Sequence, residues 1–207
     1  MSISKEDLIG YWTLNGILKD KNLVRAFENT ARENFVLPEY REDAYLDEPL
    51  PLVSGQTISQ PTTVAIMTQA LEPKPGQKIL EIGSGSGYQA AILSKIVGEK
   101  GRIFTVERIS SLVKFARKNL KSYGNVSVVH ADGTRGYVQK APYDRIIVTA
   151  TAANLPEQIF SQMKEKGIMV IPIEDHLFKI TKIGKKPKME DLGLFAFVPL
   201  IPGAVEF

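Results

Sequence analysis

The run Ile79-Leu80-Glu81-Ile82-Gly83-Ser84-Gly85-Ser86-Gly87 constrains the fold more than any other stretch of the chain. A short apolar strand carries an acid near its end. Three glycines follow at alternate positions, and a helical pattern then begins with Ala90, Ala91, Leu93 and Ile96 as inward positions. Glycine permits positive φ and lets backbone N–H groups come close to a ligand. In a doubly wound sheet, such a first strand-to-helix turn faces the crevice where nucleotide-like ligands bind.

From Pro61 onward the pattern alternates. It predicts helices over 61–71, 87–97, 110–121 and 156–163, and strands over 78–82, 102–106, 126–129, 144–149 and 168–171. Ile146-Ile147-Val148 is too apolar for an exposed edge. Strands alternating with helices imply βαβ units and a parallel sheet. Two late strands, 177–183 and 194–198, flank the basic turn Gly184-Lys185-Lys186-Pro187-Lys188 and predict an antiparallel addition. Before Pro61 the signals are helical: Leu14, Ile17 and Leu18 share one spacing, and Leu23, Val24 and Phe27 another, until the prolines at 38, 49 and 51 interrupt. The expected fold is α/β: a doubly wound, mostly parallel, Rossmann-like sheet with helices on both faces, an antiparallel C-terminal edge and an N-terminal helical cap. A cap and loop over 1–55 and a cofactor-binding domain over 56–207 are expected to form one compact unit.

Several function classes are set aside by composition. The 207 residues include no cysteine, so disulfides, thiolate nucleophiles and Cys-ligated metals are excluded. His130 and His176 are the two histidines, too far apart in sequence to read as a metal pair, and no metal is expected. A net charge of +3, from 26 basic and 23 acidic residues, is too mild to argue for a nucleic-acid partner. Met1 to Gly10 carries acids and no long apolar run, so neither a signal peptide nor a membrane span is expected, and the default compartment is the cytoplasm.

The acids near the glycine turn choose among ligands. The spacing is G-x-G-x-G, not the G-x-G-x-x-G of dinucleotide folds. Glu81 precedes it, and a carboxylate there suits the ammonium group of a methionine moiety and repels a pyrophosphate. Glu107 ends the second strand, where ribose hydroxyls need an acceptor, or else it is a surface acid beside Arg108. Asp132-Gly133 follows the third strand and reads as an acceptor for an adenine amino group, as a common Asp-Gly turn, or as both. Together these point to S-adenosyl-L-methionine, with S-adenosyl-L-homocysteine as product. The expected cofactor contacts are Glu81, Gly83, Ser84, Gly85, Gly87, Glu107, Arg108, Asp132, Gly133 and Thr149. Upstream, Ser59 stands just before the helix that Pro61 opens. There its hydroxyl either holds an anion at the helix N-terminus or, as Gln60 also could, simply caps the helix.

Three segments carry a family likeness: Val53-Ser54-Gly55-Gln56-Thr57-Ile58-Ser59-Gln60-Pro61, the glycine turn through Ala90, and Ala141-Pro142-Tyr143-Asp144-Arg145-Ile146-Ile147-Val148-Thr149-Ala150. They closely resemble the protein-L-isoaspartate O-methyltransferases, and the likeness runs from Arg25-Ala26-Phe27 to Phe197-Val198-Pro199-Leu200. The resemblance implies methyl transfer to the free α-carboxylate of L-isoaspartyl residues in aged proteins and peptides. The ester then closes to a succinimide that partly reopens to normal aspartate. Ser59 matches the serine usually assigned to the active site, and Gln56, Thr57 and Ile58 join it as the expected substrate-binding segment. The chain departs from the pattern at Val53-Ser54, in place of a Gly-His-type pair, and at Thr151-Ala152-Ala153-Asn154. A monomer is expected. The rival readings are a methyltransferase of small RNA or of a corrinoid precursor on the same fold, a non-catalytic S-adenosylmethionine-binding protein, and a nicotinamide oxidoreductase. Against base methylation, 149–154 lacks the Asn/Asp-Pro-Pro-aromatic run usual after the fourth strand.

Overall fold

The computed structural model describes residues 3–206, so Met1, Ser2 and Phe207 lie outside the described residues. The chain opens with two helices, α1 (Lys5–Leu14) and α2 (Lys21–Glu28). The two-residue strands β1 (Leu50–Pro51) and β2 (Thr57–Ile58) then pair antiparallel ahead of α3 (Pro61–Leu71). Next come β3 (Lys78–Ile82), α4 (Tyr88–Val97), β4 (Arg102–Glu107), α5 (Ser110–Asn119), β5 (Val126–His130), β6 (Tyr143–Val148), α6 (Glu157–Ser161), β7 (Met163–Ile173), β8 (His176–Ile183) and β9 (Lys186–Leu194).

The main sheet runs in the order β5-β4-β3-β6-β7-β8-β9. The first five are mutually parallel, and β8 and β9 add antiparallel at one edge. From β3 the order runs outward to β4 on one side and to β6 on the other. The C-terminal ends of these strands therefore open a crevice at the switch point. Alternate residues of each central strand feed opposite faces. Ile79 and Ile147 join one buried cluster, while Leu80, Ile82, Ile146 and Val148 join the other. The first cluster also takes Leu8, Trp12, Phe27 and Phe35, so the N-terminal helices pack on the same core as α4 and α5.

Three elements differ from the sequence expectation. The Leu14–Leu18 spacing is not one helix: α1 stops at Leu14, which is 88% exposed, and Gly16 turns the chain at φ 68° so that Leu18 is buried after the turn. β7 starts five residues early, because Lys164, Glu165 and Lys166 are exposed and give no apolar signal. The expected strand 194–198 is instead β9, at 186–194. Gly184, at φ 60°, and Lys185 close a tight hairpin with Ile183 paired to Lys186, so the basic residues belong to the strand. β9 is an exposed, charged edge with no apolar alternation to read. The apolar residues 194–198 line a cavity.

Candidate active site

That cavity, of about 800 Å³, lies at the switch point. One wall comes from β3, the glycine turn and the end of β4, and another from the segment 56–60 with the start of α3. The tail 194–201 supplies a third. Of the residues expected to form the site, Gln56, Thr57, Ile58, Ser59, Glu81, Gly83, Ser84, Gly85, Glu107, Arg108, Gly133 and Thr149 all line it.

Two expected residues do not. Gly87 precedes α4 at φ 89°, and a Cβ there would fall 2.8 Å from the Leu120 side chain, so it brings the turn against α5. Asp132 accepts from the Thr134 amide at 2.9 Å and hydroxyl at 2.6 Å. Burial pushes its carboxyl up, but the Thr134 bonds, the Gly203 amide and the Arg135 charge together outweigh it and hold the carboxyl low.

The glycine turn is closed by bonds at its root. The Gly83 N–H donates to the Val106 carbonyl at 2.8 Å, and the Gly87 N–H to that of Ser84 at 2.8 Å. Ser84 and Thr105 hydroxyls meet at 2.6 Å, and Asn119 donates to the Ser86 carbonyl at 2.9 Å. Gly83 sits at φ 94°, and any Cβ on it would fall 2.3 Å from Thr149 Oγ1. That hydroxyl lies 3.0 Å from both the Ile82 and the Gly83 carbonyl. Gly133 is packed as closely, with Ile82 Cγ2 at 2.6 Å from where a Cβ would be.

The two acids of the crevice differ sharply. Glu107 is well satisfied: one oxygen accepts from the Gly85 amide at 3.1 Å, the other from the Arg108 and Ile109 amides at 2.8 and 3.0 Å. A carboxylate offers about four acceptor sites, so roughly one remains for a ligand hydroxyl. Glu81 is fully buried, and among the described residues neither of its oxygens has a hydrogen-bond partner. Burial pushes its carboxyl up to about 8; the Thr105 hydroxyl leans the other way without closing a hydrogen bond, and the Glu107 charge adds to the rise. An unpartnered carboxyl facing a cavity is costly unless a cationic group arrives to pair with it. The methionine ammonium of S-adenosylmethionine fits that need.

Ser59 follows β2 and precedes α3. The N-cap position of α3 belongs to Gln60, which makes no side-chain cap bond, so Ser59 is not the cap. Among the described residues its half-buried hydroxyl has no partner. Arg108 Nε donates to the Gly203 carbonyl at 2.9 Å. Sequence reasoning missed Phe195, Phe197, Leu200 and Ile201 in the lining, and Gln89 on α4. The apolar run 194–201 was the available signal for the first four. Among the described residues, no group of three His, Cys, Asp or Glu side chains could hold a metal.

A doubly wound sheet with this glycine turn and these two acids defines an S-adenosylmethionine-dependent methyltransferase. Residues 3–204 match the family model for protein-L-isoaspartate(D-aspartate) O-methyltransferase. A protein-L-isoaspartate O-methyltransferase of Staphylothermus marinus is 46% identical, with 94% of this chain and 92% of that one covered. One from Ignicoccus hospitalis is 45% identical, covering 97% and 99%. Among solved structures, a Plasmodium falciparum chain assigned to the same activity, crystallised with S-adenosyl-L-homocysteine, aligns with a TM-score of 0.85 at 25% identity over 95% of this chain and 98% of its own. The chain belongs to the protein-L-isoaspartate O-methyltransferase family.

Proposed function

We propose that the protein methylates the free α-carboxylate of L-isoaspartyl residues in damaged proteins and peptides, and that Ser59 orients that carboxylate. The observation that carries this reading is one cavity holding both the unpartnered Glu81 carboxyl and the unspent Ser59 hydroxyl. When bound, S-adenosylmethionine supplies a sulfonium methyl group. Glu81 takes its ammonium, Glu107 a ribose hydroxyl, and the backbone at Gly83, Ser84 and Gly85 allows close approach. Gly133 and Thr149 shape the cofactor side, while Arg108 ties the tail down. Gln56, Thr57 and Ile58 line the substrate side.

The chain needs no strong base, because the attacking carboxylate is already ionised near neutral pH. Its task is to align oxygen, methyl and sulfur and to exclude water. Opposite charges neutralise as the methyl moves, and the apolar tail lowers the local dielectric in which this happens. Among the described residues Arg108 is the sole Arg or Lys in the lining, and its Nε is occupied, so the cavity itself offers little to a nucleic-acid backbone. The working unit is proposed to be a monomer. A cytoplasmic site of action completes the proposal; among the described residues, no helix is long and apolar enough to cross a membrane.

The test uses labelled S-adenosylmethionine and two peptides identical except for an aspartyl or isoaspartyl linkage. Base-labile label on the isoaspartyl peptide alone is expected. Equal label on both, or on neither, overturns the reading. Ser59→Ala is expected to slow transfer with cofactor affinity retained, and unchanged activity would remove Ser59 from the mechanism.

A further inference from the structure

α3 begins directly behind Ser59. Its neighbour Gln60 accepts from the Val64 N–H at 3.1 Å and from the Thr63 hydroxyl at 3.2 Å, but no side chain next to it in sequence takes a first-turn N–H. Gln60 gives no side-chain cap, and Pro61 has no N–H to offer. The Thr62 N–H instead donates to Asp47 Oδ1 at 2.9 Å, and the Thr62 hydroxyl donates to Asp47 Oδ2 at 2.7 Å. Trp12 Nε1 in turn donates to that hydroxyl at 2.8 Å. Trp12 is buried on α1 with its ring edge-on to Phe27, so the clamp is anchored in the core. Burial lowers the Arg32 guanidinium to about 10, and the Asp47 charge is one of the smaller effects that oppose this.

We propose that Asp47 is a positioning residue for methyl transfer. It supplies from a remote part of the chain the cap that Ser59 or Gln60 would otherwise provide. A helix N-terminus left without a side-chain acceptor draws on a nearby hydroxyl, and Ser59, next to the Gln60 N-cap, carries one with no other partner among the described residues. With both Asp47 oxygens engaged on one residue, the first turn of α3 is fixed in angle as well as place. The Ser59 hydroxyl then stays free for the substrate carboxylate. The inference rests on the reading of Ser59 given above.

The test compares Asp47→Ala, Ser59→Ala and the double variant in the full chain, well below the lowest melting temperature. Measured are kcat and KM for an isoaspartyl peptide and the Kd for S-adenosylmethionine. Asp47→Ala is expected to lower kcat about ten- to hundredfold, the scale of a small misplacement, with the cofactor Kd within about twofold. A fall in Tm of about 2–4 °C accompanies the lost cap. In the Ser59→Ala background the Asp47 substitution should cost nothing further in kcat. An unchanged kcat with only a lower Tm would make Asp47 a structural cap and overturn the proposal. So would an undiminished cost in the Ser59→Ala background. Unchanged activity in Ser59→Ala sinks the Ser59 reading and this inference together, whereas a slow Ser59→Ala with a fast Asp47→Ala sinks this inference alone. If Asp47→Ala does not fold, Thr62→Val carries the test by the same criteria, with an expected loss of about threefold for one hydrogen bond.

Discussion

The two walls of the cavity are built by different means. The cofactor wall hangs on parallel strands, and its turn is closed at the root by backbone bonds such as Gly83 to Val106 and Gly87 to Ser84. The substrate wall, from Asp47 to Pro61, holds no regular strand longer than two residues. Beyond the short β1–β2 pairing, side chains distant in sequence fix it: Asp47 on Thr62, which Trp12 also reaches, and Ser54 with Ser111 at 2.7 Å. A wall set by backbone closeness should fail when atoms are added. A wall set by remote clamps should tolerate added atoms and fail when a clamp is removed.

Gly83→Ala tests the first half most severely. The new methyl would enter at 2.3 Å from a β-branched hydroxyl that sits against two carbonyls, at a φ of 94° that side chains rarely adopt. Backbone strain alone costs about 1–3 kcal/mol, and the clash adds to it. The expected result is a loss of about a hundredfold in S-adenosylmethionine affinity by calorimetry. A loss below threefold would show that the turn yields, and the contrast between the walls would not stand.

Glu81 gives the next largest effect and a pH signature. Its carboxyl is raised to about 8 in the folded chain, against 4.5 unperturbed. The folded state therefore binds the proton more tightly than the unfolded state. The stability this contributes is fully present below about 4.5 and is lost as pH rises through about 8. An arriving ammonium favours the charged carboxylate, so cofactor binding near pH 6.5 should release close to one proton. Calorimetry in buffers of different ionisation heat reads this directly. Glu81→Gln should abolish the release and weaken cofactor affinity about tenfold or more, the scale of one charge-assisted bond. It should also raise the Tm of the cofactor-free protein above pH 8, where the native carboxylate is buried and charged. Proton release that persists in Glu81→Gln would place the titrating group elsewhere.

The same division explains what could be read from the sequence. The cofactor wall follows from short-range rules: apolar strands, glycines at alternate positions, and an acid at each strand end. Glu81, Gly83, Gly85 and Glu107 were therefore legible before any coordinates. The substrate wall depends on pairings such as Trp12 with Thr62, fifty positions apart, which no local pattern records. Ser59 was found by likeness to a family, and whether it was a cap could not be decided until Gln60 was seen in that position. The tail was misread because an apolar run usually signals a strand. Here Phe195 and Phe197 are apolar because they face a cavity, and β9 is a strand although its exposed edge is charged.

Gly55→Ala provides the mildest test of the comparison. Gly55 sits at φ 66°, but nothing lies within 4 Å of where a Cβ would go. The added methyl meets no atom, and only the left-handed backbone is penalised, by about 1 kcal/mol. That corresponds to a rise of about two- to fivefold in KM for an isoaspartyl peptide, with S-adenosylmethionine affinity unchanged. The same methyl group thus costs little on the substrate wall and a great deal at Gly83, because one position has space around it and the other has Thr149. If Gly55→Ala weakened cofactor affinity as much as it raised KM, strain in the loop would be reaching the glycine turn. The two walls would then have to be treated as one coupled unit, for which the contact between Ser54 and Ser111 at the start of α5 offers a route.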